Sequence, residues 1–288
     1  MVNNYKIILT GASGQLGRTF LKISNKYPNH LFHFFSKGDL DITNFQLVEN
    51  VIKNIKPNII INCAAYTDVN SSEKNKKIAN LINNISVENL AKLCYKYEIR
   101  LIHFSTDYVF DGNTDSPYHE TDKVNPINFY GYTKLMGENS ILKLNLKDSF
   151  VIRTSWLFSE YKTNFVKKII DKANLGIDIR VKENEFGSPT YALDLARITM
   201  YLIQNIKNEG AEIFNISNVG ICSRYEFAKK ILEFTNHNKK IYKFYDDNSD
   251  IKRPIFSALS TKKISKLLDF KINKWEDGLK LMIKEMKL

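Results

Sequence analysis

From Tyr5 to Ser155 the chain repeats one rhythm: a short apolar run, then a stretch with helical spacing. The runs are "YKIILTG" (5–11), "LFHFF" (31–35), "NIIIN" (58–62), "LIHFS" (101–105) and "SFVIRTS" (149–155). Strands that are apolar at successive positions, not alternate ones, are buried on both faces. Strands separated by helices are joined by right-handed crossovers into a parallel sheet. The spacing predicts helices from about Gln15 to Asn25, to about Lys56, from about Lys74 to Tyr97 with a bend near Ser86, and onward from near Tyr130. Thr43 and Gln46 read as a capping box opening the second of these. After Trp156 the rhythm loosens. A helix is expected over Thr163–Leu175, then an apolar helix in "GSPTYALDLARITMYLI", then a second capping box, Ser223 with Glu226. The reading is a doubly wound sheet over residues 1–153 with a smaller C-terminal α/β lobe over 154–288, of which about 186–217 returns to the core.

The first strand runs into "TGASGQLGRTF", with Gly11, Gly14 and Gly17 spaced G-x-x-G-x-x-G. Glycines let backbone turn sharply and come close to a pyrophosphate, and the helix that follows offers free N–H groups and a partial positive charge. In a strand–turn–helix context at the head of a βαβ series this is a dinucleotide site, and the sheet is Rossmann-type. The second strand ends "FFSKGDLD", with no acid to hold ribose hydroxyls and with Lys37 in place to meet a 2′-phosphate. That favours NADP and leaves NAD open. Asp41 faces the adenine edge or is simply an acid at a helix entry.

Beyond the fourth strand lie Ser105, Thr106 and Asp107, and at the next helix Tyr130 and Lys134, one turn apart on one face. Ligands of open parallel sheets bind outside the strands' carboxyl ends, which brings hydroxyl, phenol and ammonium to one edge. A carbonyl that receives hydride needs a proton on its oxygen. A phenol with a pKa of about 10 is roughly 4 kcal/mol from neutrality, and a nearby ammonium narrows that gap. General acid catalysis is worth about 10²–10⁴ in rate, and a threonine hydroxyl can polarise the same oxygen.

The chain carries a net charge of +11, which raises nucleic acid as a partner. The lysines are spread along the whole length instead of gathered in a patch, so the reading is no nucleic acid, with a positive field suited to an anionic nucleotide. No apolar run is long enough for a membrane span. Cys63, Cys94 and Cys222 are odd in number and far apart, giving neither a disulfide framework nor a metal cluster and pointing to a reducing cytoplasm.

In "GASGQLG", "LDITN", "NCAAYTDV", "FSTDYVFDG", "YG-x-TK-x-x-GE", "RTSW", "FGSPTYALDLA" and "RPIFSALST", in that order, the chain resembles the extended short-chain dehydrogenase/reductases and, within them, the dTDP-4-dehydrorhamnose reductases. The resemblance implies reduction of the C4 ketone of a dTDP-6-deoxy-4-ketohexose. It makes Thr106, Tyr130 and Lys134 catalytic. It sets Gly14, Gln15 and Leu16 against the pyrophosphate, Asp41 and Ile42 at the adenine, and Cys63, Ala64 and Ala65 beneath the nicotinamide side. Lys134 also holds the nicotinamide ribose, Asp107 and Trp156 contact the sugar, and Arg253 meets the nucleotide phosphates. Some relatives are homodimers with a divalent ion such as Mg at the interface, for which no ligand set carries over. Three residues depart from the pattern: Phe256 stands for an asparagine, Cys63 for an alanine and Asn70 for an aspartate. Other readings are a nucleotide-sugar epimerase or dehydratase, which would share the Tyr/Lys pair, and a non-catalytic NADP-binding subunit. The single Asp107 followed by Tyr108 argues against a dehydratase.

Overall fold

Strand and helix alternate through the N-terminal half in the computed structural model, which describes residues 4–245 and 251–287. The elements are β1 (Lys6–Thr10), α1 (Gln15–Ile23), β2 (Leu31–Phe35), α2 (Phe45–Ile55), β3 (Ile59–Asn62), α3 (Val69–Lys74), α4 (Lys76–Asn80), α5 (Ser86–Lys96), β4 (Arg100–Thr106), α6 (Phe129–Leu144) and β5 (Phe150–Thr154). Then come β6 (Leu157–Phe158), α7 (Phe165–Asn174), β7 (Ile179–Lys182), β8 (Phe186–Gly187), β9 (Thr190–Tyr191), α8 (Ala192–Asn205) and β10 (Glu212–Asn215). The chain closes with β11 (Cys222–Ser223), α9 (Arg224–Phe234), β12 (Ile241–Phe244), α10 (Lys262–Ser265) and α11 (Trp275–Glu285).

Six strands form one parallel sheet in the order β10-β5-β4-β3-β1-β2. The unbroken apolar runs follow from burial on both faces. Ile7, Leu9, Ile59, Ile61, Ile102 and Phe104 pack with residues of α1 and α8, while the interleaved Ile8, Ile60, Leu101 and Val151 pack with α2, α5 and α6. The smaller lobe has its own core, where Phe227, Ile231, Leu279 and Met282 meet residues of α7 and β7. Its strand β10 and helix α8 belong to the main sheet and main core.

Two local expectations are corrected. Helix α2 is capped by Asn44, whose side chain accepts from Leu47 N at 3.1 Å, and not by a Thr43–Gln46 box. The Thr43 hydroxyl instead turns back to Asp41 Oδ1, 2.8 Å away; asparagine is at least as good a cap, and the acid two residues before competes for the threonine. The helix expected over 74–97 is divided, with a π-helical turn at Leu81–Ile85 in place of a bend at Ser86. That turn aims Asn83 at the loop after β3, where it accepts from Tyr66 N and donates to Tyr66 O, each at 2.9 Å. The box of Ser223 and Glu226 is present with both of its bonds.

Candidate active site

β1 lies between β3 and β2, so successive connections leave it in opposite directions and a crevice opens at the carboxyl ends. Two hollows fill that crevice. The larger, about 540 Å³, is lined by Gly14, Gln15, Leu16, Gly17, Thr106, Asp107, Tyr130, Lys134 and Trp156 among others. The smaller, about 190 Å³, is lined by Gly11, Lys37, Asp41, Ile42 and Ala64. They share Gly14, Cys63 and Ala65, and so form one elongated cleft.

The glycine turn is built for close approach. Gly11 has φ of +69°, and a Cβ on it would stand 2.6 Å from Ala64 N. A Cβ on Gly17 would stand 2.4 Å from the Gly11 carbonyl oxygen. No side chain caps α1, and its first turn holds no acid, which keeps its N–H groups and positive end for an anion. The Gln15 side chain faces elsewhere: its Oε1 accepts from Ser159 Oγ at 2.9 Å and Asn164 Nδ2 at 3.0 Å, tying α1 to the second lobe. At the far end Lys37 is exposed, and Asp39 is engaged by the Ser36 hydroxyl at 2.6 Å. Asp41 is held below the ordinary carboxylate range; burial opposes this, but its bonds from Thr43 and the nearby Lys37 outweigh it. Lys37, exposed just beyond β2, is the cation in reach of a 2′-phosphate there.

At the other end Tyr130 lines the larger hollow. Burial pushes its pKa up; the Thr106 hydroxyl pulls it back, and Asp107 and Tyr108 push it further. The Tyr108 ring stands edge-on to it, centroids 6.0 Å apart. Lys134 lies one turn along α6 from Tyr130. Its Nζ donates to the Phe104 carbonyl at 2.5 Å and meets His103 Nε2 at 3.2 Å. Burial lowers the Lys134 pKa to about 8 against the opposing pull of Glu138 and Cys63. The phenol is therefore neutral, the form that can give a proton.

Thr106 Oγ1 donates to Asp107 Oδ1 at 3.0 Å and accepts from Tyr108 N at 3.2 Å. Asp107 is 2% exposed, and its second carboxylate oxygen has no hydrogen bond. Burial raises this carboxyl to about 6, offset in part by the Ser257 and Thr106 hydroxyls and the Arg224 charge. A buried acceptor without a donor, on the wall of a cleft, is a place for a ligand hydroxyl.

Arg224 is the residue the sequence reading missed. It opens α9, directly after the capping serine, and its guanidinium lies 3.5 Å from the Trp156 ring centroid. That contact, with Phe227 stacked behind at 6.4 Å, fixes the indole as a wall of the larger hollow. A basic residue at the positive end of a helix opposes the helix dipole, and that mismatch was the available signal. Arg253 lies further out, lining a hollow of about 330 Å³ that meets the larger one along Asn164, Phe165 and Arg224. Its Nη2 donates to Asn70 Oδ1 at 2.8 Å, and its Nε is buried without a partner. Phe256 bridges to Phe186 of β8 and is not on the wall of the larger hollow. Among the described residues no three His, Cys, Asp or Glu side chains gather to hold a metal, and no helix is long and apolar enough to cross a membrane.

Known proteins match this arrangement over its whole length. The Bacillus subtilis (strain 168) spore coat polysaccharide biosynthesis protein SpsK is 33% identical over 97% of each chain. A dTDP-4-dehydrorhamnose reductase of Aggregatibacter actinomycetemcomitans is 33% identical over 96% of this chain and 97% of its own. The crystal structure of dTDP-4-dehydrorhamnose reductase from Bacillus anthracis str. Ames, in complex with NADP, superposes with a TM-score of 0.91 at 35% identity, covering 99% of both chains. The family model described as the RmlD substrate binding domain matches residues 5–288. With the parallel sheet and the smaller lobe both inside that match, the chain belongs to the RmlD substrate binding domain family.

Proposed function

We propose that the chain reduces the C4 ketone of a dTDP-6-deoxy-4-ketohexose, taking dTDP-4-dehydrorhamnose to dTDP-L-rhamnose with NADPH. The observation that carries this reading is the larger hollow itself: the glycine turn, Thr106, Tyr130 and Lys134 line one continuous space. The relatives named above supply the substrate class.

NADPH, when bound, supplies the hydride; Gly11, Gly14 and Gly17 give its pyrophosphate room, and Lys37 meets the 2′-phosphate. The ketone carbon gains the hydride and its oxygen gains a negative charge. Tyr130 gives that oxygen its phenolic proton, which restores a neutral alcohol and leaves a phenolate. The Lys134 ammonium favours the phenolate and holds the nicotinamide ribose. Thr106 turns its hydroxyl from Asp107 to the ketone oxygen and polarises it. The free oxygen of Asp107 accepts from a sugar hydroxyl, and Trp156, braced by Arg224, gives the deoxyhexose its apolar wall. Arg253 takes a nucleotide phosphate; its acceptor Asn70 is neutral, so its positive charge is left for the ligand.

The test is NADPH oxidation by the purified protein with dTDP-4-dehydrorhamnose, and the expected product is dTDP-L-rhamnose. Turnover only with another ketosugar moves the substrate within the class, and no consumption with any ketosugar refutes the reductase.

A further inference from the structure

Thr10, Asn62 and His103 stand side by side across three strands: Thr10 pairs with Asn62 in the β1–β3 register, and Asn62 with His103 in the β3–β4 register. All three are buried to within 1% of full burial. They are polar residues that follow or interrupt runs of Ile, Leu and Phe in these strands. They lie on the face that α6 covers, directly behind Lys134.

Their hydrogen bonds have a fixed direction. The Ala64 backbone N–H can only donate, and it donates to Asn62 Oδ1 at 3.2 Å, as does the Thr10 hydroxyl at 2.7 Å. Asn62 Oδ1 is thereby an acceptor, and its Nδ2 must be the atom facing His103 Nδ1, 3.1 Å away. An amide NH₂ only donates, so Nδ1 carries a lone pair. Burial and the neighbouring Lys134 keep His103 neutral, so its one N–H is at Nε2. That N–H points at Lys134 Nζ, 3.2 Å away. An amine can accept it; an ammonium has no lone pair to do so.

We propose that this one-way chain from Ala64 N–H fixes His103 as the Nε2–H tautomer, and that His103 is a positioning residue that adds to burial in disfavouring the ammonium form of Lys134. A hydrogen bond given to the neutral form of a base disfavours its charged form. When Lys134 is an ammonium, the back of Nζ offers it no acceptor at His103, so its protons turn to the Phe104 carbonyl and to the cleft. The other groups facing Nζ are known. Glu138 lies one turn along α6 and is itself bound by Arg153 of β5; the Cys63 thiol follows β3; Tyr130 lies one turn back. The importance of this device for turnover rests on the reductase reading of Lys134, but its existence does not.

Two magnetic resonance measurements test it, both without cofactor or sugar, so failure of the reductase reading leaves them standing. Long-range ¹⁵N spectra of histidine-labelled protein give the His103 tautomer, assigned by loss of the signal in His103→Gln. The ¹³Cε resonance lost in Lys134→Met gives the Lys134 titration. The expected result is Nε2–H at His103 and a Lys134 midpoint below the ordinary lysine value. His103→Gln can turn an amide oxygen to the ammonium, and it should raise the midpoint by about one pH unit or more, a tenfold change in proton affinity. Nδ1–H in the unmodified protein overturns the proposal, as does a midpoint that stays or falls in His103→Gln. If that variant does not fold, Asn62→Ser supplies the assignment, and the tautomer and midpoint of the unmodified protein decide.

Discussion

Gly17→Ala isolates the contribution of the glycine turn, because the atoms its methyl would strike are all backbone. The new Cβ would lie 2.4 Å from Gly11 O, 2.6 Å from Ala12 Cα and 2.9 Å from Ala12 C. Ordinary contact begins near 3.4 Å, so the turn between β1 and α1 must retreat by about 1 Å. Overpacking of this kind costs about 1–3 kcal/mol of stability. The turn is also the floor on which a pyrophosphate would rest, and a displacement of 1 Å in a positioning element costs about 10² in function. We therefore expect NADPH affinity, measured by calorimetric titration, to fall about 100-fold, or roughly 2.7 kcal/mol. The melting temperature should drop, with the fold kept by circular dichroism. Gly38→Ala is the control, since a Cβ there meets nothing closer than the Ser36 hydroxyl at 3.7 Å. A folded Gly17→Ala protein that binds NADPH within threefold of the parent would refute the assignment of this turn to the pyrophosphate.

Three further outcomes follow from particular contacts. Folding raises the Asp107 pKa from 3.8 to about 6, so the folded chain binds the extra proton and this group's stability contribution falls as pH rises through that window. Asp107→Asn should accordingly gain up to about 3 kcal/mol at neutral pH in urea unfolding, while the KM for the ketosugar rises; a less stable variant would contradict the buried, half-satisfied carboxylate. Glu138→Gln leaves Arg153 without the carboxylate that now meets its Nη2 at 2.7 Å in a fully buried pair. Loss of about 3–5 kcal/mol is expected, and a loss under 1 kcal/mol would show the pair to be dispensable. Asn70→Asp would neutralise Arg253 from outside; we expect an unchanged kcat with a KM for the dTDP-sugar raised about twofold to fivefold, the range of an exposed ion pair. An unchanged KM would remove Arg253 from the phosphate site.

The sheet was legible because strands buried on both faces write themselves as unbroken apolar runs, and the phosphate turn because three glycines fall between a strand and a helix. Tyr130 and Lys134 were legible because helical spacing alone puts them on one face. What stayed hidden depends on strand register or on contacts between distant segments. Asn62 and His103 lie inside segments legible only as apolar runs; only the pairing of β1, β3 and β4 joins them to Thr10 and Lys134. Arg224 read as part of a helix start, since its partner Trp156 lies far away in sequence. The misassigned cap at α2 was a choice between adjacent residues, Thr43 and Asn44, decided by Asp41. The direction of the Lys134 ammonium stayed hidden for a different reason. One helical turn places Lys134 on the right face, but His103 and Phe104, invisible to helical spacing, determine where its Nζ points.

Single-turnover reduction of dTDP-4-dehydrorhamnose by the Tyr130→Phe protein decides whether the Tyr130 phenol hands its proton to the ketone oxygen. The expected rate is lower by about 10²–10⁴, with NADPH affinity unchanged. Reduction at the parental rate by the phenylalanine protein would contradict it.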